Sequence, residues 1–285
     1  MKKFDYYQPQ NLKEAYKLME KLKGEALYVA GGTDVIVRIK QKMIQPEALI
    51  SLRGVEELQG LKENGGLALG AGTLFREMER NESLLKRYTA LHQAVSVLAN
   101  PQIRNVATVG GNLCNAAPSA DSAPPLLVME AQVQLEGPGG TRTMALEDFF
   151  TGPGETSKER EEIMTRIVIP ELPAKTGTAF LKIGRVSQDI AIANAAALVT
   201  MENGVCKHCR LAVGAVAPVP LRLKSIEEKV EGEKIDEGLL EEVRKMVCEA
   251  VNPISDVRST AEYRREVSGV LVKRAIRDAL TMAQA

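Results

Sequence analysis

Apolar and polar positions in the first half of the chain follow a pattern that predicts short strands separated by amphipathic helices. Apolar residues recur every third or fourth position over 13–22, which predicts a helix. A short apolar run over 27–30 predicts a buried strand, and it leads into Gly31-Gly32-Thr33-Asp34. Either of the last two residues of that tetrapeptide can cap a helix predicted over 35–42. A second strand is predicted over 48–52.

Two glycine-containing turns predict β-hairpins in the same half. Glu63-Asn64-Gly65-Gly66 and Gly137-Pro138-Gly139-Gly140 each separate two strand-like runs, and Asn-Gly accepts a positive φ at a tight turn. Between the hairpins, helical periodicity predicts one long helix over 84–99, which Asn100-Pro101 would end. The stretch 106–121 is rich in small residues, and we predict a loop there. The hairpin strands are predicted at 58–61, 67–71, 131–136 and 141–146.

The pattern changes after the proline-containing segment 170–175. Two long apolar runs meet at the turn Glu202-Asn203-Gly204, and a helix over 260–282 carries one apolar stripe. Strands are predicted at 179–184, 193–201 and 205–216, and a further helix at 237–251. We therefore predict an α+β chain of two parts, residues 1–173 and residues 174–285, the second a three-stranded antiparallel sheet covered by helices.

Charge and hydropathy exclude some classes of function. The 285 residues include 37 basic and 37 acidic side chains, so the formal net charge is zero at pH 7. A nucleic-acid binder normally shows a basic excess or stripe, so we expect no nucleic-acid partner. Apolar runs such as 190–200 are too short to span a bilayer, and Met1-Lys2-Lys3 leads into a polar segment. We expect a soluble, cytoplasmic protein with no membrane segment.

Cysteine and histidine usage narrows the chemistry further. Cys206-Lys207-His208-Cys209 has the CxxC spacing of a redox pair or of half a zinc site. A zinc site needs about four ligands, and the sequence contains no second close cysteine pair. We interpret the two cysteines as a reduced pair and predict no metal site. Only two histidines occur, which disfavours a Ser-His-Asp or Cys-His hydrolase.

Two glycine-rich segments are candidates for binding a phosphate. The first, over 29–34, lies between a predicted strand and a predicted helix, and the second is Thr108-Val109-Gly110-Gly111-Asn112. Paired glycines let a backbone approach a ligand closely, and successive amides can surround an anion. Neither segment has the Walker or the GxGxxG pattern, so a nucleotide site here would be of another type. Gly-Gly is common, and both segments could instead be ordinary tight turns.

A longer set of motifs identifies a family that the chain resembles. Asn-Pro-Gln-Ile-Arg-Asn-Val-Ala-Thr-Val-Gly-Gly-Asn-Leu at 100–113 is followed by Asn-Ala-Ala-Pro-Ser-Ala-Asp at 115–121. Shorter matches are Ala-Gly-Gly-Thr-Asp at 30–34, Gly-Ala-Gly-Thr at 70–73, Ile-Val-Ile-Pro at 167–170 and Ala-Phe-Leu-Lys-Ile-Gly-Arg at 179–185. Together they resemble the FAD-binding medium subunit of the molybdenum hydroxylases, such as xanthine and carbon monoxide dehydrogenases, and the resemblance covers essentially the entire chain.

The resemblance implies a fold and a binding site. The fold would be a two-subdomain FAD-binding domain of the PCMH/CO-dehydrogenase flavoprotein type, followed by a small domain of antiparallel sheet and helices. Two segments would wrap the pyrophosphate through backbone amides and polar side chains, two aliphatic residues would lie against the flavin, and a lysine would lie near its pyrimidine edge. The implied FAD-binding residues are Val29, Ala30, Gly31, Gly32, Thr33, Asp34, Val35, Ala107, Thr108, Gly110, Gly111, Asn112, Asn115, Asp121, Ile163, Met164 and Lys182. An alternative for Lys182 is a solvated strand lysine.

The resemblance also implies a role within a larger complex. A large molybdopterin-binding subunit would oxidise the substrate, which could be xanthine or another purine, and electrons would pass through 2Fe-2S clusters of a small subunit to FAD and then to NAD+ or another acceptor. The four cysteines of this chain, at 114, 206, 209 and 248, do not have a useful spacing for even one such cluster. Arg185 is followed by Val186 where many relatives have a second basic residue, which argues against an acceptor contact at 186. A free-standing FAD-dependent dehydrogenase and a non-catalytic scaffold protein remain alternatives.

Overall fold

The computed structural model describes residues 2–22 and 25–285. The chain forms a three-stranded sheet, a five-stranded sheet and a four-stranded sheet, with a small two-stranded hairpin. No helix within the described part of the chain is both long enough and apolar enough to cross a membrane.

The first sheet is parallel and comes from the N-terminal segment. Its elements are β1 (Asp5–Tyr7), α1 (Leu12–Lys21), β2 (Ala26–Val29), α2 (Val35–Lys40) and β3 (Ala48–Ser51). The strand order is β1-β3-β2, and both neighbours run parallel to β3. The α1 helix begins after Asn11, whose side chain caps the Glu14 amide, and it buries one apolar stripe. The two helices and two strands predicted here are confirmed within two residues at each end.

The second sheet is antiparallel throughout, and most of the helices belong to this part of the chain. Its elements are β4 (Leu61–Glu63), β5 (Gly66–Gly70), α3 (Phe75–Glu79), α4 (Glu82–Arg87), α5 (Thr89–Ser96), α6 (Pro101–Arg104), α7 (Val109–Asn115), α8 (Ala123–Val128), β6 (Gln132–Gly137), β7 (Gly140–Ala145), β8 (Phe150–Gly152), β9 (Glu155–Thr156) and β10 (Ile163–Pro170). The order is β4-β5-β10-β6-β7, so the late strand β10 lies between the two predicted hairpins. β8 pairs only with β9.

Three predictions for this region are wrong in detail. The helix predicted over 84–99 is two helices, because the backbone leaves helical geometry at Tyr88, whose ring is packed in the core and only 1% exposed. The loop predicted over 106–121 contains the helix α7, in which both glycines occur in the first turn. The strand predicted over 58–61 is a 3-10 turn over Glu56–Leu58, and the strand itself begins at Leu61.

The C-terminal part is an antiparallel sheet that packs on its own helices with one face and on the core of the preceding part with the other. Its elements are β11 (Thr176–Ile183), β12 (Ala193–Glu202), β13 (Val205–Gly214), β14 (Leu221–Arg222), α9 (Lys224–Val230), α10 (Glu237–Ala250) and α11 (Ala261–Gln284). Nearly all of β12 is buried, because Ala196 and Leu198 pack on the core of the preceding part while Ala195 and Ala197 pack in the core shared with α10 and α11. The sheet has four strands rather than the predicted three, since a two-residue strand is too short to show a period.

Candidate functional site

A cavity of about 570 Å³ lies where the first sheet, the second sheet and the end of β11 meet. Its size falls in the range usual for small-molecule and cofactor sites. Every residue predicted for the site lines this cavity: Val29, Ala30, Gly31, Gly32, Thr33, Asp34, Val35, Ala107, Thr108, Gly110, Gly111, Asn112, Asn115, Asp121, Ile163, Met164 and Lys182. Positions far apart in the sequence are therefore brought to one chamber.

The first glycine segment forms the turn between β2 and α2. A Cβ on Gly31 would collide with the carbonyl oxygen of Val106, so this glycine allows the turn to pack against the segment that precedes α7. Gly32 has a φ of +73°, which a residue with a side chain rarely adopts. Among the described residues, none accepts a hydrogen bond from the backbone amides of Thr33, Asp34 or Val35. These amides are therefore available to an anionic ligand.

The second glycine segment is organised differently from the expectation. The Thr108 hydroxyl caps α7 by accepting a hydrogen bond from the Gly111 amide, with an N···O distance of 3.0 Å. The Val109 and Gly110 amides donate to the carbonyls of Thr73 and Ala71, at 3.1 and 2.9 Å. The Val109, Gly110 and Gly111 amides, which were expected to be free, are thus already paired within the protein. The segment contributes shape to the cavity more than hydrogen-bond donors.

The two glycines of α7 serve different purposes. A Cβ on Gly110 would lie 2.5 Å from the Cβ of Ala71, so this glycine is required by contact with the strap, the segment 71–74 that follows β5. A Cβ on Gly111 would meet the Thr108 hydroxyl at 2.8 Å and the Ala30 Cβ at 3.8 Å. Gly111 therefore keeps open the space between the two glycine segments, on the side that lines the cavity.

An ion pair closes another side of the cavity. The Lys182 Nζ lies 2.6 Å from Asp121 Oδ2, and the two side chains are 7% and 8% exposed. The Asn194 amide donates to Asp121 Oδ1 at 2.9 Å, and Lys182 also donates to the Val97 carbonyl at 3.3 Å. Burial raises the pKa of Asp121, while the Lys182 ammonium opposes that shift. The alternative of a solvated strand lysine is wrong, because Lys182 is buried and paired.

A cysteine thiol also lines the cavity. Cys114 lies in α7 and is the one half-buried cysteine among the free cysteines of the described chain, since Cys206, Cys209 and Cys248 are buried. Desolvation by burial raises the pKa of the Cys114 thiol to about 11. The thiol is therefore protonated near neutral pH and a weak nucleophile.

Several lining residues were not predicted from the sequence. They are the basic residues Arg38, Lys158 and Arg160, the wall residues Leu98, Ala99 and Ile103, the strap residues Ala71 and Gly72 with the adjoining Phe75, and the loop residues Gln188, Asp189 and Ile190. The Gly-Ala-Gly-Thr motif at 70–73 was a signal for the strap, and its contact with α7 explains its composition. Ile103 lies within the motif at 100–113, and the other residues carry no local pattern that distinguishes them from ordinary helix and loop positions.

Cys206 and Cys209 lie outside the cavity, in the core beneath the C-terminal helices. A register shift between Thr200 and Met201 marks a bulge in the pairing of β12 with β13, and both cysteines are fully buried. A hydrogen bond from the Cys209 thiol lowers the pKa of Cys206. Within residues 2–22 and 25–285, no group of three or more potential ligands surrounds a metal position.

Comparison with known proteins reveals close overall similarity. The xanthine dehydrogenase FAD-binding subunit of Escherichia coli O157:H7 is 33% identical over 282 residues, covering 98% of this chain and 96% of that protein. The solved structure of carbon monoxide dehydrogenase from Hydrogenophaga pseudoflava, in a form lacking the Mo-pyranopterin moiety, superposes with a TM-score of 0.95 at 31% identity and covers 99% of this chain and 98% of that one. Quinoline 2-oxidoreductase from Pseudomonas putida 86 gives a TM-score of 0.94 at 26% identity, covering each chain completely.

Two family models account for the two parts of the chain. The model described as the FAD binding domain in molybdopterin dehydrogenase matches residues 2–172, and the model of the CO dehydrogenase flavoprotein C-terminal domain matches residues 178–279. The resemblance and the fold class predicted from the sequence are thereby confirmed. The chain belongs to the family of FAD-binding medium subunits of the molybdenum hydroxylases.

Proposed function

We propose that the cavity holds one FAD without a covalent bond, and that the chain carries electrons for a complex in which partner subunits hold the molybdopterin and the 2Fe-2S clusters. The observation that carries this proposal is the single cavity lined by all of the predicted residues. The absence of a His or Cys over 29–35 and the protonated state of the Cys114 thiol argue against a covalent link.

Each part of FAD would contact its own wall of the cavity. The amides of Thr33, Asp34 and Val35 would donate to the pyrophosphate, and the absence of a side chain on Gly111 would leave room beside them. Ile163 and Met164 would supply an aliphatic surface for the isoalloxazine ring, which suits a chain without Trp. When bound, FAD would supply the one-electron and two-electron chemistry that protein side chains lack.

The Lys182 and Asp121 pair would set the electrostatics at one end of the ring. A lone buried ammonium would favour negative charge on a neighbouring cofactor, but here the Asp121 carboxylate at 2.6 Å offsets much of that charge. We therefore propose that Lys182 orients the cofactor by hydrogen bonding and that the pair moderates the field near it.

The cysteine content of the chain supports the proposed partners, and its similarity to a relative supports the proposed substrate. Its four cysteines lack the grouping for even one 2Fe-2S cluster, so the clusters and the molybdenum centre belong to partner chains in this proposal. We propose a purine such as xanthine as the substrate of the complex and NAD+ or another acceptor as the oxidant. The 33% identity to a xanthine dehydrogenase subunit supports the purine. We also propose that residues 1–173 form the FAD-binding domain and residues 174–285 the C-terminal domain.

Purification of the chain with and without its partners tests the proposal. The chain expressed alone should be yellow and should release one FAD per chain on acid precipitation. A colourless protein that takes up no added FAD would overturn the assignment of the cavity and favour the scaffold alternative. Purification from the cells that produce it naturally should yield the chain with a large and a small partner, whereas a chain that purifies alone and oxidises a substrate would be a free-standing dehydrogenase.

A further inference from the structure

A buried ion pair lies directly behind one wall of the cavity. The Arg104 Nε and Nη2 atoms donate to the two carboxylate oxygens of Glu79, at 3.1 and 2.9 Å. The side chains are 7% and 17% exposed. Two parallel hydrogen bonds between a guanidinium and a carboxylate fix the orientation of both groups, which a single point contact does not.

The remaining guanidinium nitrogen reaches the cavity wall itself. The Arg104 Nη1 donates to the carbonyl oxygens of Leu98 and Ala99, at 2.8 and 3.3 Å. Both Leu98 and Ala99 line the cavity, whereas Arg104 and Glu79 lie behind them. Ala99 has a φ of +46°, an unfavourable conformation for a residue with a side chain, which surrounding contacts must maintain.

Glu79 links this wall to the second glycine segment. It ends the helix α3, which begins immediately after the strap at 71–74. The Phe75 amide donates to the Ala107 carbonyl at 3.1 Å, and the Gly110 amide donates to the Ala71 carbonyl at 2.9 Å. Arg104 therefore joins the wall at 98–99 to the element that holds the start of α7.

We propose that Arg104, with Glu79 as its partner, is a positioning residue for FAD that holds the 98–99 wall and the start of α7 at a fixed separation. The inference rests on the proposed FAD site. It predicts that loosening this pair changes the affinity for FAD even though neither side chain touches the cavity, because a binding wall that is free to move must be ordered when the cofactor binds.

The chain contains a matched control pair. Arg222 Nε and Nη2 each lie 2.7 Å from a carboxylate oxygen of Glu227, and Arg222 Nη1 donates to the Leu127 carbonyl at 3.1 Å. Both control side chains are 6% exposed. This pair has the same bidentate contact and backbone carbonyl contact, but none of its residues lines the cavity.

The experiment compares FAD titrations of the deflavinated full-length chain for the parent, Arg104→Gln, Arg104→Lys and Arg222→Gln, with thermal unfolding measured for each. We expect Arg104→Gln to raise the FAD dissociation constant about 10- to 100-fold. This is the range found when residues that support the direct ligands of metal sites are changed. The FAD dissociation constant of Arg104→Lys should lie between those of the parent and Arg104→Gln, because one ammonium cannot hold both the carboxylate and the carbonyls. Arg222→Gln should lower the unfolding temperature but keep the parental affinity.

The outcomes separate this inference from the proposed function. If the parent binds FAD and Arg104→Gln binds it equally well, the positioning role is wrong while the FAD site stands. If Arg222→Gln loses as much affinity as Arg104→Gln, the effect is general destabilisation and the inference is again wrong. Should Arg104→Gln not fold, Arg104→Lys and Glu79→Gln provide the same comparison. A parent that binds no FAD would overturn the FAD site together with this inference.

Discussion

The Lys182 and Asp121 pair provides a direct test of the electrostatics of the cavity. Lys182→Met removes the ammonium and keeps a side chain of similar length. It leaves the Asp121 carboxylate buried, with the Asn194 amide at 2.9 Å as the hydrogen-bond donor that the structure shows for it. Removing one partner of a buried ion pair costs about 3–5 kcal/mol, because the other charge stays desolvated. At about 2–4 °C per kcal/mol for a chain of this size, the unfolding temperature at pH 7 should fall by roughly 6–20 °C.

The loss of stability in Lys182→Met should increase as the pH rises. Burial already raises the pKa of Asp121 in the folded parent, and Lys182 opposes that rise. Without Lys182 the folded pKa of Asp121 is higher still, so its contribution to stability is present below the unfolded pKa and is lost as the pH rises through the folded value. The variant should therefore be closest to the parent near pH 5 and furthest from it near pH 8.

The assay is thermal unfolding of the deflavinated protein between pH 5 and pH 8, since bound FAD would itself stabilise the folded state. The double variant Lys182→Met/Asp121→Asn provides the control. It removes both charges and keeps an acceptor for Asn194, so it should recover most of the lost stability. If Lys182→Met unfolds at the parental temperature throughout this pH range, the pair is open to solvent and the reasoning about the cavity end is wrong.

The remaining predictions concern glycine and cysteine positions. Gly111→Val should weaken FAD binding about 10- to 150-fold, which is equivalent to losing one charge-assisted hydrogen bond of about 1.5–3 kcal/mol. The control is Gly139→Val, whose Cβ meets no atom within 4 Å and which should bind FAD normally in the same titration. In the deflavinated protein, the rate of Cys114 alkylation should rise about tenfold for each unit of pH increase up to the thiol pKa of about 11. Saturating FAD should block the alkylation, and mass spectrometry that finds equal labelling with FAD bound would contradict the site. Cys206→Ser/Cys209→Ser should retain one FAD per chain, and a folded variant without flavin would contradict the placement of these cysteines in a separate core.

Local sequence patterns were sufficient for much of the fold, and the family resemblance led to residues that line one cavity. The helix over 13–22 and the hairpins at Asn64-Gly65 and Asn203-Gly204 depend on short-range periodicity and on positive φ at the turn, which neighbouring residues determine. The motifs over 30–34, 100–121 and 179–185 contain most of the residues that were expected at the cavity, and all of the expected residues line it. These motifs can be recognised in the sequence because segments that line a ligand site turn sharply, and sharp turns restrict which residue types can occupy them.

Only the tertiary structure decided how those residues are used. Asp121 and Lys182 are 61 residues apart in sequence and meet because β11 packs against α5 and α8. The Val109 and Gly110 amides are paired because the strap at 71–74 supplies their acceptors, and the break at Tyr88 depends on burying its ring. Arg104 reads as an ordinary helix residue until the fold places Glu79 and the 98–99 carbonyls around it. Long-range packing sets these partners, and no periodicity along the chain encodes the distance between two surfaces that meet only after folding.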